Sequence, residues 1–93
     1  MIRSYRDNKV ERFHRDGVTP RPWRALAKIA LRKLDMLDAA EALSDLFAPP
    51  GNRLEALLGD RKGQHSIRIN DQFRVCFKWT AQGPENVEIV DYH

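Results

Sequence analysis

The chain has 93 residues, 42% of them hydrophobic and 31% charged, and its 16 Lys and Arg exceed its 13 Asp and Glu by three. This length predicts one domain over residues 1–93 without a separate cofactor-binding lobe, and the composition does not indicate intrinsic disorder. The sequence pI near 9.4 suits a polyanionic partner, although so small a charge surplus carries little weight alone.

Cysteine content and hydropathy limit the class of protein further. Cys76 is the single cysteine, which excludes an internal disulfide and a cysteine-based metal cluster, and its neighbours Val75 and Phe77 favour a buried strand thiol over a nucleophile. No run approaches the roughly 18 apolar residues of a membrane span, and no signal-peptide core follows Met1. We therefore expect a cytoplasmic protein.

The first half of the chain predicts helices. Residues 2–5 could add an edge strand, and Asp7 is typical of an N-cap for a helix over 8–15 that stops at Gly17. An extended segment over 19–22, with two prolines, precedes a long helix from Trp23 to about Ala40. That helix is indicated by apolar residues at spacings of three and four, namely Trp23, Leu26, Ala27, Ala30, Leu31, Leu34 and Leu37.

The second half of the chain predicts strands. After a further helical turn over 41–47, the segment 48–52 is expected to end all helical structure, and from there the apolar period changes from 3.6 to 2. We predict a weak strand over 53–58, a turn over 59–63, and strands over 65–69, 73–79 and 86–91, the last following a turn at Gln82-Gly83-Pro84. Helices followed by a meander predict an α+β fold, with the helices packed on one face of an antiparallel sheet.

The hairpin around Asn70-Asp71-Gln72 has one register that keeps its faces distinct. Pairing Ile67 with Val75 places Arg68 opposite Arg74 on the other face. Two adjacent arginines repel, so the arrangement is consistent either with an anion site or with a solvated face whose charges are screened.

The sequence contains no nucleotide-binding loop, metalloprotease motif or nucleophile elbow, and its three histidines lack metal-ligand spacing. What remains is the basic sheet face and the terminal Asp91-Tyr92-His93. RNA cleavage by the 2′-hydroxyl requires a base, an acid and cations for the phosphorane oxygens, and these residue types can supply all three. The alternative is structural, with Tyr92 capping the core and His93 a frayed end.

Strand alternation adds a condition to the terminal site. In a regular strand Asp91 and His93 share one face and Tyr92 points to the other. For all three to enter one cleft, the backbone should depart from regular strand geometry near Asp91.

Several short motifs occur in a characteristic order in the second half of the chain. They are Pro49-Pro50-Gly51-Asn52-Arg53-Leu54-Glu55, Gly59-Asp60-Arg61, His65-Ser66-Ile67-Arg68-Ile69-Asn70, Arg74-Val75-Cys76-Phe77, Trp79, and Val87-Glu88-Ile89 ahead of Asp91-Tyr92-His93. In this order they resemble the HigB-type toxins, which have been described as plasmid-maintenance killer proteins and are similar to the RelE toxins. The stretch 34–40 agrees as well.

The resemblance implies a RelE-like microbial ribonuclease fold and a toxin that cuts mRNA in the ribosomal A site without a cofactor or metal. It also implies a HigA-like helix-turn-helix antitoxin, with operator DNA bound only indirectly through that antitoxin. By position, Arg74, Asp91, Tyr92 and His93 match the catalytic group. The expected RNA-binding residues are Arg61, Lys62, Arg68 and Glu55.

Two positions depart from active members of the family. Some active members have a histidine at the position of Glu55 and a lysine at the position of Leu58. Glu55 could replace the histidine as a base, whereas Leu58 cannot replace a cation. The alternative function is therefore a weakened toxin that acts by binding the ribosome or as a co-repressor.

A basic stripe and two tryptophans complete the candidates. Arg24, Lys28 and Arg32 recur every four residues on the long helix, which indicates either a solvated face or a contact with ribosomal RNA. Trp23 and Trp79 are expected in the core.

Overall fold

The computed structural model describes residues 1–91; the predictions for Tyr92 and His93 lie outside the described residues. Helix α1 spans Asn8–Asp16 and begins as predicted, because the Asp7 carboxylate accepts a hydrogen bond of 3.0 Å from the Val10 amide. It ends at Gly17, whose φ of 73° is the left-handed conformation that glycine adopts without steric cost.

The long helix is shorter than predicted at its start. Helix α2 spans Ala27–Ala39, and the preceding Arg21–Leu26 is a 3₁₀ helix. The predicted extended segment is therefore wrong at residues 21–22, and the predicted α-helix is wrong at residues 23–26. The reason is that Trp23 and Leu26, three residues apart, fit the three-residue turn of a 3₁₀ helix as well as the α-helical period. Both are buried.

Helical turns also continue past the point where they were expected to stop. A 3₁₀ helix spans Leu43–Phe47 as anticipated, but further 3₁₀ turns cover Pro50–Asn52 and Gly59–Arg61. These turns position the loops around the first strand.

The sheet is antiparallel with the strand order β1-β2-β3-β4. Its strands are β1, Glu55–Ala56; β2, His65–Arg68; β3, Phe73–Thr80; and β4, Gly83–Asp91. A bulge interrupts the β3–β4 pairing between Cys76 and Lys78, and Asn86 there has a φ of 53°. With α1 and α2 packed against one face, the α+β prediction is confirmed.

The start of β4 corrects one predicted turn. Gly83 and Pro84 are buried strand residues paired with Thr80 and Trp79, and the chain reverses at residues 81–82 instead. Glycine is required at 83 because the N-terminal segment crosses here, so that a Cβ atom would lie 2.5 Å from the carbonyl oxygen of Met1.

The N-terminal segment runs along the outer edge of β4. The Arg3 amide donates to the Pro84 carbonyl at 2.8 Å, and Tyr5 forms a parallel bridge with Val87. The predicted edge strand is thus present only as an isolated bridge. It covers the edge of β4 against further pairing.

The core lies between the helices and the face of the sheet that carries Ile67, Val75 and Phe77, all three fully buried; we call this the core face. Trp23 packs edge-on against Phe13 with ring centroids 5.2 Å apart, and Trp79 is partly buried against the same core. Both tryptophans are therefore structural, as predicted. Arg24, Lys28 and Arg32 are exposed on the other side of the helical layer.

Candidate functional site

The β2–β3 hairpin has the predicted register. Arg68 lies opposite Arg74 and Ile67 lies opposite Val75, which separates an arginine face from the core face. The hairpin turn is closed by Asn70, whose side-chain oxygen accepts hydrogen bonds from the amides of Gln72 and Phe73 at 2.9 and 2.8 Å. The two arginines are consequently fixed side by side, next to this turn.

A polar cavity of about 200 Å³ opens at the turn end of the arginine face. Its lining residues are Arg53, Arg68, Asn70, Asp71 and Arg74. Three guanidinium groups against one lining carboxylate make the cavity electropositive, and guanidinium forks match the geometry of phosphate oxygens. The arrangement suits a bound anion.

Arg74 is the most enclosed of the three cations. Its side chain is 11% exposed, and its guanidinium donates to the Glu55 carboxylate at 3.0 Å and to the Arg53 carbonyl at 2.7 Å. These contacts hold the guanidinium against the sheet at the floor of the cavity. Glu55, predicted as an RNA-binding residue, is thus a direct partner of Arg74.

Arg68 lies higher on the wall of the cavity. Its side chain is about one-third exposed and pairs with the carboxylate of Asp71 in the hairpin turn. Asp71 is almost fully exposed, so this ion pair is held weakly and can open to an incoming anion.

The structure places Arg61 apart from the cavity. Its guanidinium donates to the Glu88 carboxylate at 3.0 Å and to the Gln64 side chain at 3.1 Å. Arg61 is not among the cavity's lining residues, and its ion pair lies over the other end of the same sheet face. Lys62 is exposed in the adjacent turn. A phosphate contact by either residue therefore stays a prediction.

Beneath Arg61, the arginine face is closed. Cys76 is fully buried opposite Ser66 and Glu88, and burial raises the pKa of its thiol to about 11, an effect that the nearby Arg61 opposes. A thiol with such a pKa is protonated at neutral pH and is a poor nucleophile. Cys76 is structural, as predicted.

Asp91 is not brought into the cavity. It pairs with Phe73 at the end of β4, which places it on the side of the core face, and it accepts a hydrogen bond of 3.0 Å from the side-chain amide of Gln72. Strand pairing remains regular through Asp91, so any departure of the backbone falls beyond the described residues. The predicted grouping of Asp91, Tyr92 and His93 stays a prediction.

Arg53 is the residue that sequence reasoning missed. It lines the cavity and fixes Arg74 through its carbonyl, yet it precedes the strand and has no periodic relation to Arg68 or Arg74. The available signal was the Pro-Pro-Gly-Asn sequence before it, which indicates a tight turn able to redirect the next side chain.

Two classes of site are absent from the described part of the chain. Within residues 1–91, no group of three or more His, Cys, Asp or Glu side chains is placed to hold a metal ion. No helix in that range has the length and apolar character needed to cross a membrane.

Comparison with known proteins identifies the family. The family model for the RelE-like toxin of the type II toxin–antitoxin system HigB matches residues 3–93. Toxin HigB-1 of Vibrio cholerae serotype O1 is 46% identical over 80 residues, which cover 85% of this chain and 84% of that protein. An uncharacterized protein of Haemophilus influenzae is 40% identical over 84 residues, covering 89% and 83% of the two chains. The chain therefore belongs to the RelE-like HigB toxins of type II toxin–antitoxin systems, in which each toxin is paired with an antitoxin.

Proposed function

We propose that this toxin is an endoribonuclease that cuts mRNA in the ribosomal A site and is neutralised by a HigA-like helix-turn-helix antitoxin. The observation that carries the proposal is the electropositive cavity on the arginine face, where Arg68 and Arg74 stand side by side beside the end of β4. In a ribonuclease-type toxin, the anion that fits such a cavity is a single phosphate group of an RNA strand.

Cleavage begins with attack of a 2′-hydroxyl on the adjacent phosphorus and ends with departure of the 5′-oxygen. The phosphorane that forms between these steps carries additional negative charge on its equatorial oxygens. In the proposed mechanism Arg74 contacts those oxygens from the floor of the cavity and Arg68 contacts them from its wall. Because the RNA supplies its own nucleophile, the mechanism requires no metal ion or cofactor.

Two proton transfers complete the proposed reaction. His93 or Tyr92 donates to or accepts from the reacting oxygens, and Asp91 orients its neighbours, as the resemblance implies. Glu55 is a second candidate base, because its carboxylate lies beside Arg74 at 3.0 Å and would adjoin a phosphate bound there. In that position the carboxylate would accept the 2′-hydroxyl proton.

One observation favours the second function, a weakened toxin that mainly binds the ribosome or serves as co-repressor. Glu55 occupies the position of a family histidine and is already paired with Arg74, so a phosphate must compete with its carboxylate. Leu58, at the position of a family lysine, is 83% exposed and offers no charge. Both changes reduce the catalytic groups without removing the anion site.

Mapping of RNA 5′ ends after induction in growing cells separates the two functions. An endoribonuclease produces new 5′ ends within codons of translated mRNA, whereas a pure binder arrests growth without them. Deletion of Tyr92 and His93 should abolish both the new ends and growth arrest while far-UV circular dichroism stays unchanged. New ends at the wild-type level in that folded deletion variant would contradict the terminal catalytic group.

A further inference from the structure

The turn that delivers Arg53 to the cavity has an unusual backbone. Arg53 has φ 45° and ψ 55°, in the left-handed region that glycine and asparagine enter far more readily than arginine. A glycine at position 53 would satisfy the same turn without that steric cost. An arginine therefore stands at this position against the local preference of the backbone, which points to a role for the guanidinium itself.

The neighbouring Asn52 explains how the strained turn is held. Asn52 is fully buried and accepts a hydrogen bond of 2.5 Å from the Lys33 ammonium on α2. Its side-chain amide donates to the Leu46 carbonyl at 3.2 Å and to the sulfur of Met36 at 3.0 Å. The turn is thus tied to α2 and to the segment after it, so the position of Arg53 is determined by the folded core.

The three cavity arginines differ in their partners. Arg68 pairs with Asp71, and Arg74 pairs with Glu55. Within residues 1–91, the guanidinium of Arg53 is exposed and makes no ion pair or hydrogen bond. An anion that enters the cavity competes with a carboxylate at Arg68 and at Arg74, whereas no residue of the described range competes for Arg53.

We propose that Arg53 is the cation that captures a backbone phosphate of the RNA, while the carbonyl of the same residue positions Arg74 for the reaction. The inference rests on the proposed function and assigns different roles to the arginines. Arg53 governs the affinity for RNA, and Arg74 governs the chemical step. Removal of the Arg53 side chain should accordingly raise KM more than it lowers kcat.

Arg53→Gly tests this division cleanly, because glycine keeps the left-handed turn and the carbonyl that Arg74 uses. Arg53→Lys retains the charge, and Arg12→Ala, on the exposed side of α1, removes one positive charge far along the chain. Two measurements are made on each protein. One is cleavage of mRNA during translation, and the other is the salt dependence of binding to a short single-stranded RNA.

We expect Arg53→Gly to fold with an unchanged or higher Tm, to raise KM by about tenfold, and to lower the slope of log affinity against log salt by about one. Arg53→Lys should recover most of the salt slope, and Arg12→Ala should match the wild type. Wild-type KM and salt slope in Arg53→Gly would overturn the inference even if the wild type cleaves RNA. Absence of cleavage by the wild type would instead contradict the proposed function, and the salt slope of RNA binding would still decide the role of Arg53.

Discussion

The two faces of the β2–β3 hairpin serve opposite purposes, although the same two strands form both. On the core face, Ile67, Val75 and Phe77 are fully buried beneath the helices. On the arginine face, Arg68 and Arg74 meet a cavity at the hairpin turn. Because side chains alternate along a strand, substitutions one residue apart should separate stability from activity.

The arginine face is itself divided. Ser66 and Cys76 form the next cross-strand pair on this face after the two arginines, and both are fully buried. The ion pair of Arg61 with Glu88 lies over them. Only the turn end of this face is therefore open to a ligand. Exposure of a face cannot be read from alternation alone, since loops can cover part of it.

The largest expected effect belongs to the core face. Phe77→Ala removes a fully buried ring from the centre of β3 and should lower the free energy of unfolding by about 3–5 kcal/mol. Denaturant unfolding measures the loss, and Phe77→Leu, which leaves a smaller cavity, should lose less. An unfolding free energy within the error of the wild type for Phe77→Ala would show that the core face is not the centre of stability.

Arg68→Ala probes the open end of the arginine face. Its ion pair with the highly exposed Asp71 contributes little to folding, so stability should change by less than about 1 kcal/mol. Loss of a charged hydrogen bond to phosphate should reduce cleavage during translation about 10- to 100-fold. A matched Asp71→Asn variant, which frees Arg68, should not lose activity. Equal activity of Arg68→Ala and the wild type would exclude Arg68 from the phosphate site.

Cys76 reports on the closed end of that face. Burial raises its pKa in the folded protein to about 11 from an ordinary value of 9.0, so above pH 9 the unfolded thiol loses its proton before the folded one does. Stability contributed by the protonated thiol is therefore present below pH 9 and is lost as the pH rises toward 11. By pH 10 the loss of unfolding free energy should be on the order of 1 kcal/mol.

The control for this pH effect is Cys76→Ala, in which the extra decline in unfolding free energy between pH 9 and pH 10 should disappear. Native Cys76 should also resist alkylation at neutral pH and react only after unfolding. Rapid alkylation of the native protein would contradict the closed end.

The smallest expected effect concerns a row of hydrogen-bonded side chains that joins the N-terminal segment to α1 and α2. The Tyr5 hydroxyl lies 2.7 Å from Nδ1 of His14, and Nε2 of His14 lies 2.9 Å from the Asp35 carboxylate. Tyr5→Phe keeps the ring but removes the hydroxyl. This should lower the free energy of unfolding, measured by thermal denaturation, by about 1 kcal/mol and leave activity unchanged. Asp35→Ala should cost less, since Asp35 is 75% exposed. A large loss of activity in Tyr5→Phe would extend the functional surface to the helical side.

Much of this architecture is predictable because it follows from short-range patterns. Alternation of Ile67, Val75 and Phe77 with polar residues determines the hairpin register, and that register places Arg68 opposite Arg74. The N-cap and glycine stop of α1 are equally local. The positions of these elements could be derived because each depends on residues close to it in the chain.

The remaining features depend on contacts between distant segments. Arg53 reaches the cavity through a left-handed turn held by Lys33, nineteen residues before Asn52. Gly83 is required by the passage of Met1, and Arg61 is occupied by Glu88, twenty-seven residues later. No local pattern encodes such pairings, so the third cation was missed and the ion pair of Arg61 with Glu88 was not foreseen.

The most direct test of the central claim is the activity and stability of Arg74→Ala, measured on one purified preparation. Stability is taken from denaturant unfolding, and activity from mapped 5′ ends of an mRNA in a reconstituted translation reaction, with Arg12→Ala as the matched charge control. The account predicts that Arg74→Ala stays folded, loses about 1–3 kcal/mol of unfolding free energy with its contacts to Glu55 and the Arg53 carbonyl, and cleaves about 10²- to 10³-fold more slowly. Cleavage at the wild-type rate by the folded variant would contradict it, because the arginine face would then not hold the scissile phosphate.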